Sequence, residues 1–209
     1  MKVKILYLLT LLILSSAVCF AQTPQNPELA TEINRLYELD QSVQTDMISA
    51  YQNGATKEKF DELDKIKNET FKKHIPLLKE IIRKYGFPTF NLVGKESSNN
   101  FFAMVQHSDF DLKFQKACLK KIKKFVKTKQ VNTANFAYLT DRVSINSGKP
   151  QIYGTQLDYD KDGNALPKNL KDAENVNKRR SSVGLESIEE YLKKMTELHK
   201  QMNQKEKQK

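Results

Sequence analysis

The residues best suited to proton-transfer chemistry lie in one short segment, VQHSDFD at 105–111, where His107 stands two residues before Asp109. Histidine changes its charge near neutral pH, and a neighbouring carboxylate can orient its ring. His107 is therefore a candidate general base with Asp109 as its partner. A histidine that is hydrogen-bonded at the end of a helix would fit the same segment. These two side chains do not form a metal site, because no third ligand is identified.

A second set of candidate residues lies nearer the C-terminus. Asp141 and Arg142 are adjacent in AYLTDRV, and Arg179 and Arg180 follow a polar linker. Guanidinium groups suit carboxylates and phosphates, so both arginines of the second pair are candidates for contact with an anion. Asp141 is a second carboxylate that could orient His107. The alternative is a structural network that ties the helices to the C-terminal strands.

The segment DYDKDG at 158–163 looks like the start of a calcium-binding loop. Such a loop needs a chelating glutamate at its twelfth position, where this sequence has Asn169. Pro167 also opposes the helix that should leave the loop. A tight turn that starts at Asp160 and ends at Gly163 fits better. The sequence therefore predicts neither a metal site nor a cofactor.

A lysine-rich helix is predicted from Asp111 to about Lys127. One face of it is apolar, and the other carries Lys113, Lys116, Lys120, Lys121, Lys123, Lys124 and Lys127. A solvated helix face is one interpretation, and contact with an anionic surface is another. No aromatic residues alternate with the lysines, so the pattern does not favour nucleic acid.

The N-terminus has the pattern of a secretory signal peptide. Lys2 and Lys4 precede an apolar run at 5–18, and small residues favour cleavage after Ala21. We therefore expect a periplasmic or extracellular protein. The alternative is a lipoprotein anchored through Cys19. Cleavage after Ala21 leaves Cys118 as the only cysteine, so no disulfide can form within the mature chain.

The elements that must position these residues are mostly helices. The periodicity predicts helices over 26–53, 57–85, 98–107, 111–127 and 187–202, with 89–98 as a loop and strands at 142–145, 151–159 and from 165. Tyr153 and Thr155 would share one face of the second strand, with Gln156 on the other. The predicted fold is α+β and mainly α: a single helical domain over 22–197 with a small antiparallel meander of two or three strands in its C-terminal half. A flexible basic tail would follow at 198–209.

Several short segments occur in an order that resembles a known family. They are YGFPT, VQHSD, AYLTDRV, PQIYGTQ, RR and VGLESIEEYL. Together they resemble the uncharacterised bacterial domain-of-unknown-function family 6624, over about residues 40–191. The resemblance implies no activity, substrate or cofactor. It does imply that these residues belong to a shared pattern: Gln106, His107, Asp141, Arg142, Tyr153, Gly154, Thr155, Gln156 and Arg180.

Three functions remain open at this point. The first is an exported ligand- or partner-binding domain, with a polar pocket lined by Gln106, His107, Asp141, Arg142, Tyr153 and Gln156. The second is a cell-envelope hydrolase, in which His107 is the general base and Arg142 or Arg180 stabilises a developing anion. The third is a structural envelope protein. A hydrolase requires His107 to lie in a cleft with a carboxylate within hydrogen-bonding distance, whereas a binding domain requires only the cleft.

Overall fold

A computed structural model describes residues 23–207 of the chain. The predicted signal peptide and Cys19 lie outside the described residues. Within 23–207 the elements are α1 (Pro27–Gln52), α2 (Lys57–Tyr85), α3 (Phe90–Gln106), α4 (Leu112–Val126), α5 (Thr133–Asn146), β1 (Leu157–Tyr159), β2 (Ala165–Pro167), α6 (Val176–Ser182) and α7 (Ile188–Lys207). The predicted mainly helical α+β fold is confirmed, and its sheet has two strands.

The first three helices pack around the main hydrophobic core. α1 begins where the Asn26 side chain accepts a hydrogen bond from the Leu29 amide. α2 continues through Pro76 as one helix and ends at Gly86, whose φ of 78° is in the left-handed region. Ile33, Leu78 and Phe101 are fully buried where α1, α2 and α3 meet. The core therefore holds α1, α2 and the end of α3 in fixed positions.

The residues predicted as a loop at 89–98 are largely helical. α3 begins at Phe90 and is interrupted only at Gly94, which has φ 82° and ψ 166°. A side chain is strained in that conformation, and a Cβ there would also lie 3.4 Å from Pro24 Cγ. The glycine thus interrupts the helix without making a long loop.

The predicted strand at 142–145 is wrong, because these residues belong to α5. The helix is buried on two sides: Ala137 packs with Tyr153 and Val183, whereas Leu139 and Val143 face the main core. A helix with two buried faces gives buried residues at every second position, which imitates the alternation of a strand. The strand prediction for 151–159 is correct only at its end, since β1 begins at Leu157.

The two strands form a short antiparallel hairpin in which Asp158 pairs with Leu166. Its tip is DYDKDG: Asp160 Oδ1 accepts hydrogen bonds from the backbone amides of Asp162 and Asn164, both at 2.9 Å. Gly163 there has φ 77°. The predicted turn is therefore confirmed, and Asp160 uses its carboxylate within it.

The hairpin packs on α7. Tyr159 stacks on His199 with ring centroids 3.8 Å apart, and the Ala165 amide donates to Thr196 Oγ1 at 2.9 Å. α7 itself is longer than predicted and continues to Lys207, through much of the segment assigned to a basic tail. None of the helices within residues 23–207 is both long and apolar enough to cross a membrane.

Candidate functional site

The site is built around a hydrogen bond between the end of α3 and the middle of α1. His107 Nδ1 lies 2.8 Å from Asp40 Oδ1 and 2.9 Å from Oδ2. The Asp40 side chain is 1% exposed, whereas that of His107 is 20% exposed. An ionised carboxylate can only accept a hydrogen bond, so Nδ1 must carry the proton. The buried Asp40 carboxylate thus orients the ring of His107, and the His107 side chain remains partly exposed to solvent.

The other ring nitrogen of His107 contacts an amide. Gln44 follows Asp40 by one helical turn on α1, and its Nε2 lies 3.1 Å from His107 Nε2. The amide nitrogen of glutamine can only donate, so His107 Nε2 accepts. The two contacts therefore agree on one tautomer, with the proton on Nδ1 and the lone pair on Nε2.

The ring is also held by an aromatic contact. Phe71 of α2 stacks on His107, with centroids 4.8 Å apart and planes 14° from parallel. Stacking of this kind, together with the hydrogen bonds to Asp40 and Gln44, leaves the ring little freedom to rotate. The imidazole is therefore positioned by side chains from α1 and α2 as well as by its own helix.

His107 opens onto a polar cleft of about 410 Å³. The cleft is also lined by Gln44, Lys67, Asn68, Phe71, Asp109, Phe110 and Arg142. No serine, threonine or cysteine is among these lining residues. These residues therefore offer no hydroxyl or thiol nucleophile, whereas a water molecule that enters the cleft could supply one.

One wall of the cleft is a network centred on Asp109. Arg142 donates to both carboxylate oxygens, with Nε 2.9 Å from Oδ1 and Nη2 2.5 Å from Oδ2. Gln115 and Asn146 each donate to Oδ1 at 2.9 Å. Burial disfavours the charged form of Asp109, but these donors outweigh burial and lower its pKa below the usual value. Asp109 therefore holds Arg142 in the cleft wall rather than orienting His107.

Arg142 and Lys67 bring positive charge to the cleft. Lys67 is paired with Asp64 at 2.6 Å, and Arg142 is paired with Asp109. Arg142 uses Nε and Nη2 for that pair, so its Nη1 has no hydrogen bond within the described part of the chain. Nη1 is thus a donor that a ligand in the cleft could use.

Asp141 does not line the cleft. It is fully buried and accepts hydrogen bonds from the backbone amides of Ile152, Tyr153 and Thr155 at 2.9–3.0 Å, and from Thr155 Oγ1 at 3.0 Å. These donors satisfy the carboxylate, which fixes the loop between α5 and β1. Asp141 and Arg142 are neighbours in sequence, but they lie on different faces of α5. Asp141 points into the protein interior, whereas Arg142 lies in the cleft wall.

Arg179 and Arg180 also make structural contacts with backbone carbonyl groups. Arg180 is buried; its Nε donates to Glu186 O and its Nη1 to Tyr153 O, both at 2.7 Å. Arg179 donates to Ile152 O and pairs with Asp172 at 2.8 Å. The structure therefore does not bring either arginine to the cleft.

The remaining candidates lie near these buried groups. Tyr153 is buried against Ala137, and Thr155 bonds Asp141. The Gln156 backbone pairs with the Gln151 side chain, and the Gln106 carbonyl accepts from Gln115. The predicted set thus separates into two: His107, Asp109 and Arg142 meet at the cleft, whereas Gln106, Asp141, Tyr153, Thr155, Gln156, Arg179 and Arg180 do not line it.

Asp40 and His74 are buried polar residues that were not predicted from sequence as part of any site. Asp40 occupies a core position on α1, between Leu36 and Val43 on its apolar stripe. A lone acid at that spacing is a signal that could have identified it. His74 of α2 is 5% exposed. Among residues 23–207, no three His, Cys, Asp or Glu side chains are grouped as metal ligands would be.

Comparison with known proteins yields one match. The model of a family described as "Family of unknown function (DUF6624)" matches residues 27–202. No curated protein and no solved structure matches the chain.

Proposed function

The chain belongs to the DUF6624 family, a family of unknown function, and we propose that this member is a hydrolase with His107 as its general base. The observation that carries the proposal is the Asp40–His107 contact of 2.8 Å at the floor of an open cleft. Of the three functions left open by the sequence, only a hydrolase requires both the cleft and a carboxylate bonded to the imidazole.

The proposed reaction uses water as the nucleophile, because the cleft lining offers no hydroxyl or thiol side chain. His107 Nε2 takes a proton from water while the water oxygen bonds to an acyl or phosphoryl centre. The bond to the leaving group then breaks, and the proton passes from Nε2 to that group. The Asp40 carboxylate stabilises the imidazolium that exists between these two steps.

The substrate of the proposed hydrolase is expected to carry or develop negative charge. Arg142 Nη1 is available to an oxyanion, and Lys67 adds a second cation to the cleft. The Gln44 amide must move away from His107 Nε2 when water enters the cleft. The amide can then form a hydrogen bond with that water. Positioning and charge stabilisation together supply the rate enhancement.

The proposed location is outside the cytoplasm, since residues 1–21 carry the pattern of a signal peptide. The lysine face of α4 supports contact with an anionic envelope surface: most of these lysines are exposed, and none pairs with an acid within residues 23–207. Substrates would then be esters or phosphoesters of the cell envelope.

A substrate panel tests the proposal. Wild type, His107→Gln and the control His199→Gln are assayed against chromogenic carboxylic esters, phosphomonoesters, phosphodiesters and amides. We expect hydrolysis of at least one class, reduced about 100-fold or more by His107→Gln and unchanged by His199→Gln. Absence of hydrolysis across the panel, or equal rates in all three proteins, would contradict the proposal.

A second candidate function is ligand binding without chemistry. The Gln44 contact favours it, because the amide already occupies the nitrogen that a general base must keep free. In that case a ligand recovered from envelope extracts would bind wild type and remain intact. Conversion of that ligand by wild type but not by His107→Gln would exclude this candidate.

A further inference from the structure

A second cavity, of about 310 Å³, lies between α1 and α2 and shares no lining residue with the polar cleft. We call it the α1–α2 groove. Its lining includes Leu36, Leu39 and Val43 from α1 and Leu77 from α2. The same pair of helices therefore carries two cavities, one polar and one predominantly apolar.

The α1–α2 groove exposes two leucines to solvent. Leu39 is 48% exposed and Leu77 is 43% exposed, and both line the groove. Single exposed leucines are ordinary, but two that share a concave surface make an apolar patch of the kind that binds ligands. The groove thus offers a surface for a hydrocarbon chain.

A buried histidine lies in the lining of the groove. His74 is 5% exposed, and its Nδ1 makes no hydrogen bond with any group of residues 23–207. Burial lowers the pKa of His74, which favours the neutral ring. Nδ1 itself is inaccessible to solvent, so the His74 ring closes the groove without offering this nitrogen to a ligand.

The rim of the groove is cationic. Arg35 and Lys73 line it, are exposed, and have no ion pair within residues 23–207. No aspartate or glutamate is among the lining residues. The charge of the rim therefore complements an anion.

We propose that the α1–α2 groove binds a single-chain amphiphile with an anionic head group. The hydrocarbon chain lies along Leu39 and Leu77. The head group lies between Arg35 and Lys73. The groove volume is near the lower end of the range for small-molecule sites, about 300–1,000 Å³, which suits a chain of medium length. This site does not depend on the proposed hydrolase activity.

Calorimetric titration with octanoate tests the site. Neutral 1-octanol and cationic octyltrimethylammonium have the same chain and measure what the head group contributes. The variants are Leu39→Ser/Leu77→Ser and Arg35→Gln/Lys73→Gln. The matched control for the first variant is Ile48→Ser/Ile66→Ser. Ile48 is as exposed as Leu39, at 48%, and Ile66 is as exposed as Leu77, at 43%, but both isoleucines lie outside the groove. The control for the second is Lys57→Gln/Lys65→Gln, whose two lysines lie on α2 outside the groove.

We expect saturable binding of octanoate that is tighter than that of octanol, and no binding of the cationic probe. Leu39→Ser/Leu77→Ser should lower the affinity for octanoate at least about tenfold. Arg35→Gln/Lys73→Gln should lower it to the affinity for octanol. Both controls should bind octanoate as wild type does. His107→Gln should bind it equally well, which separates this site from the hydrolase proposal.

Several results would overturn the assignment. One is an absence of saturable octanoate binding to wild type; another is equal weakening by the control variants. A dimer that sedimentation detects and Leu39→Ser/Leu77→Ser dissociates would assign the groove to a second copy of the chain. Binding to phosphatidylglycerol vesicles, lost in that variant and unaccompanied by octanoate binding, would assign it to a membrane surface.

Discussion

Asp40 and His107 are 67 residues apart in sequence, yet His107 Nδ1 lies 2.8 Å from Asp40 Oδ1. The acid is buried in the face of α1, and the imidazole ends α3 at the edge of the cleft. A carboxylate beneath an accessible imidazole fixes the tautomer of the ring and stabilises its protonated form. The arrangement connects the helical core directly to a group that can move a proton.

Gln44→Ala should expose the reactive nitrogen of His107. The amide covers Nε2 at 3.1 Å, and one neutral hydrogen bond contributes about 1 kcal/mol, or roughly fivefold in reactivity. We expect His107 to be carbethoxylated by diethyl pyrocarbonate about fivefold faster in this variant, as read by mass spectrometry. His199 in the same protein is the internal control, and its rate should not change. An unchanged rate at His107 would show that Gln44 does not shield it.

Asp141 and Arg142 should differ sharply in their effect on stability. Asp141→Asn replaces a buried carboxylate that accepts three backbone amides, and we expect the free energy of unfolding to fall by about 3 kcal/mol or more. Arg142→Gln breaks a partly exposed ion pair and should cost less than about 1 kcal/mol. Urea denaturation measures both. Similar losses of unfolding free energy in the two variants would contradict the assignment of Asp141 to the buried scaffold and of Arg142 to the cleft wall.

Asp109 should make stability depend on acid pH. Its pKa is lower in the folded chain than the unfolded value of about 3.9, so its stabilisation is complete above that pH. The stabilisation disappears as the pH falls through the folded pKa. The difference in unfolding free energy between wild type and Asp109→Asn should therefore be constant near neutrality and shrink below about pH 4. Arg142→Gln should reduce this pH dependence. A difference between wild type and Asp109→Asn that grows at low pH would refute the lowered pKa of Asp109.

Cys118 should be inert in the folded protein. Burial raises the pKa of its thiol to about 12, so almost no thiolate exists near neutral pH. We expect no measurable reaction of Cys118 with Ellman's reagent in buffer and one equivalent of reaction at Cys118 in urea. Rapid labelling of the native protein would show that this part of the core opens readily.

Helical periodicity predicted α1, α2 and α4 well, because each has one apolar face and one polar face. Residues 142–145 of α5 were mistaken for a strand because both sides of the helix are buried. Local sequence cannot distinguish these cases, since the second buried face depends on a loop that follows in the chain.

The cleft was only partly predictable for a related reason. His107, Asp109 and Arg142 were identified from residue types, and Asp40 was missed because no local motif contains it. Asp141 and Arg180 carry the same chemistry as site residues, but their partners are backbone groups of the loop around Tyr153. A sequence marks polar groups without showing whether the fold itself already satisfies them.

The protonation of the two ring nitrogens of His107 tests the central claim most directly. A general base held by Asp40 must carry its proton on Nδ1 and keep a lone pair on Nε2. Nitrogen-15 NMR of the imidazole distinguishes the two tautomers of the neutral ring. The account predicts one dominant tautomer, with the proton on Nδ1. A dominant Nε2-protonated ring would contradict it, because Asp40 would then not orient the base.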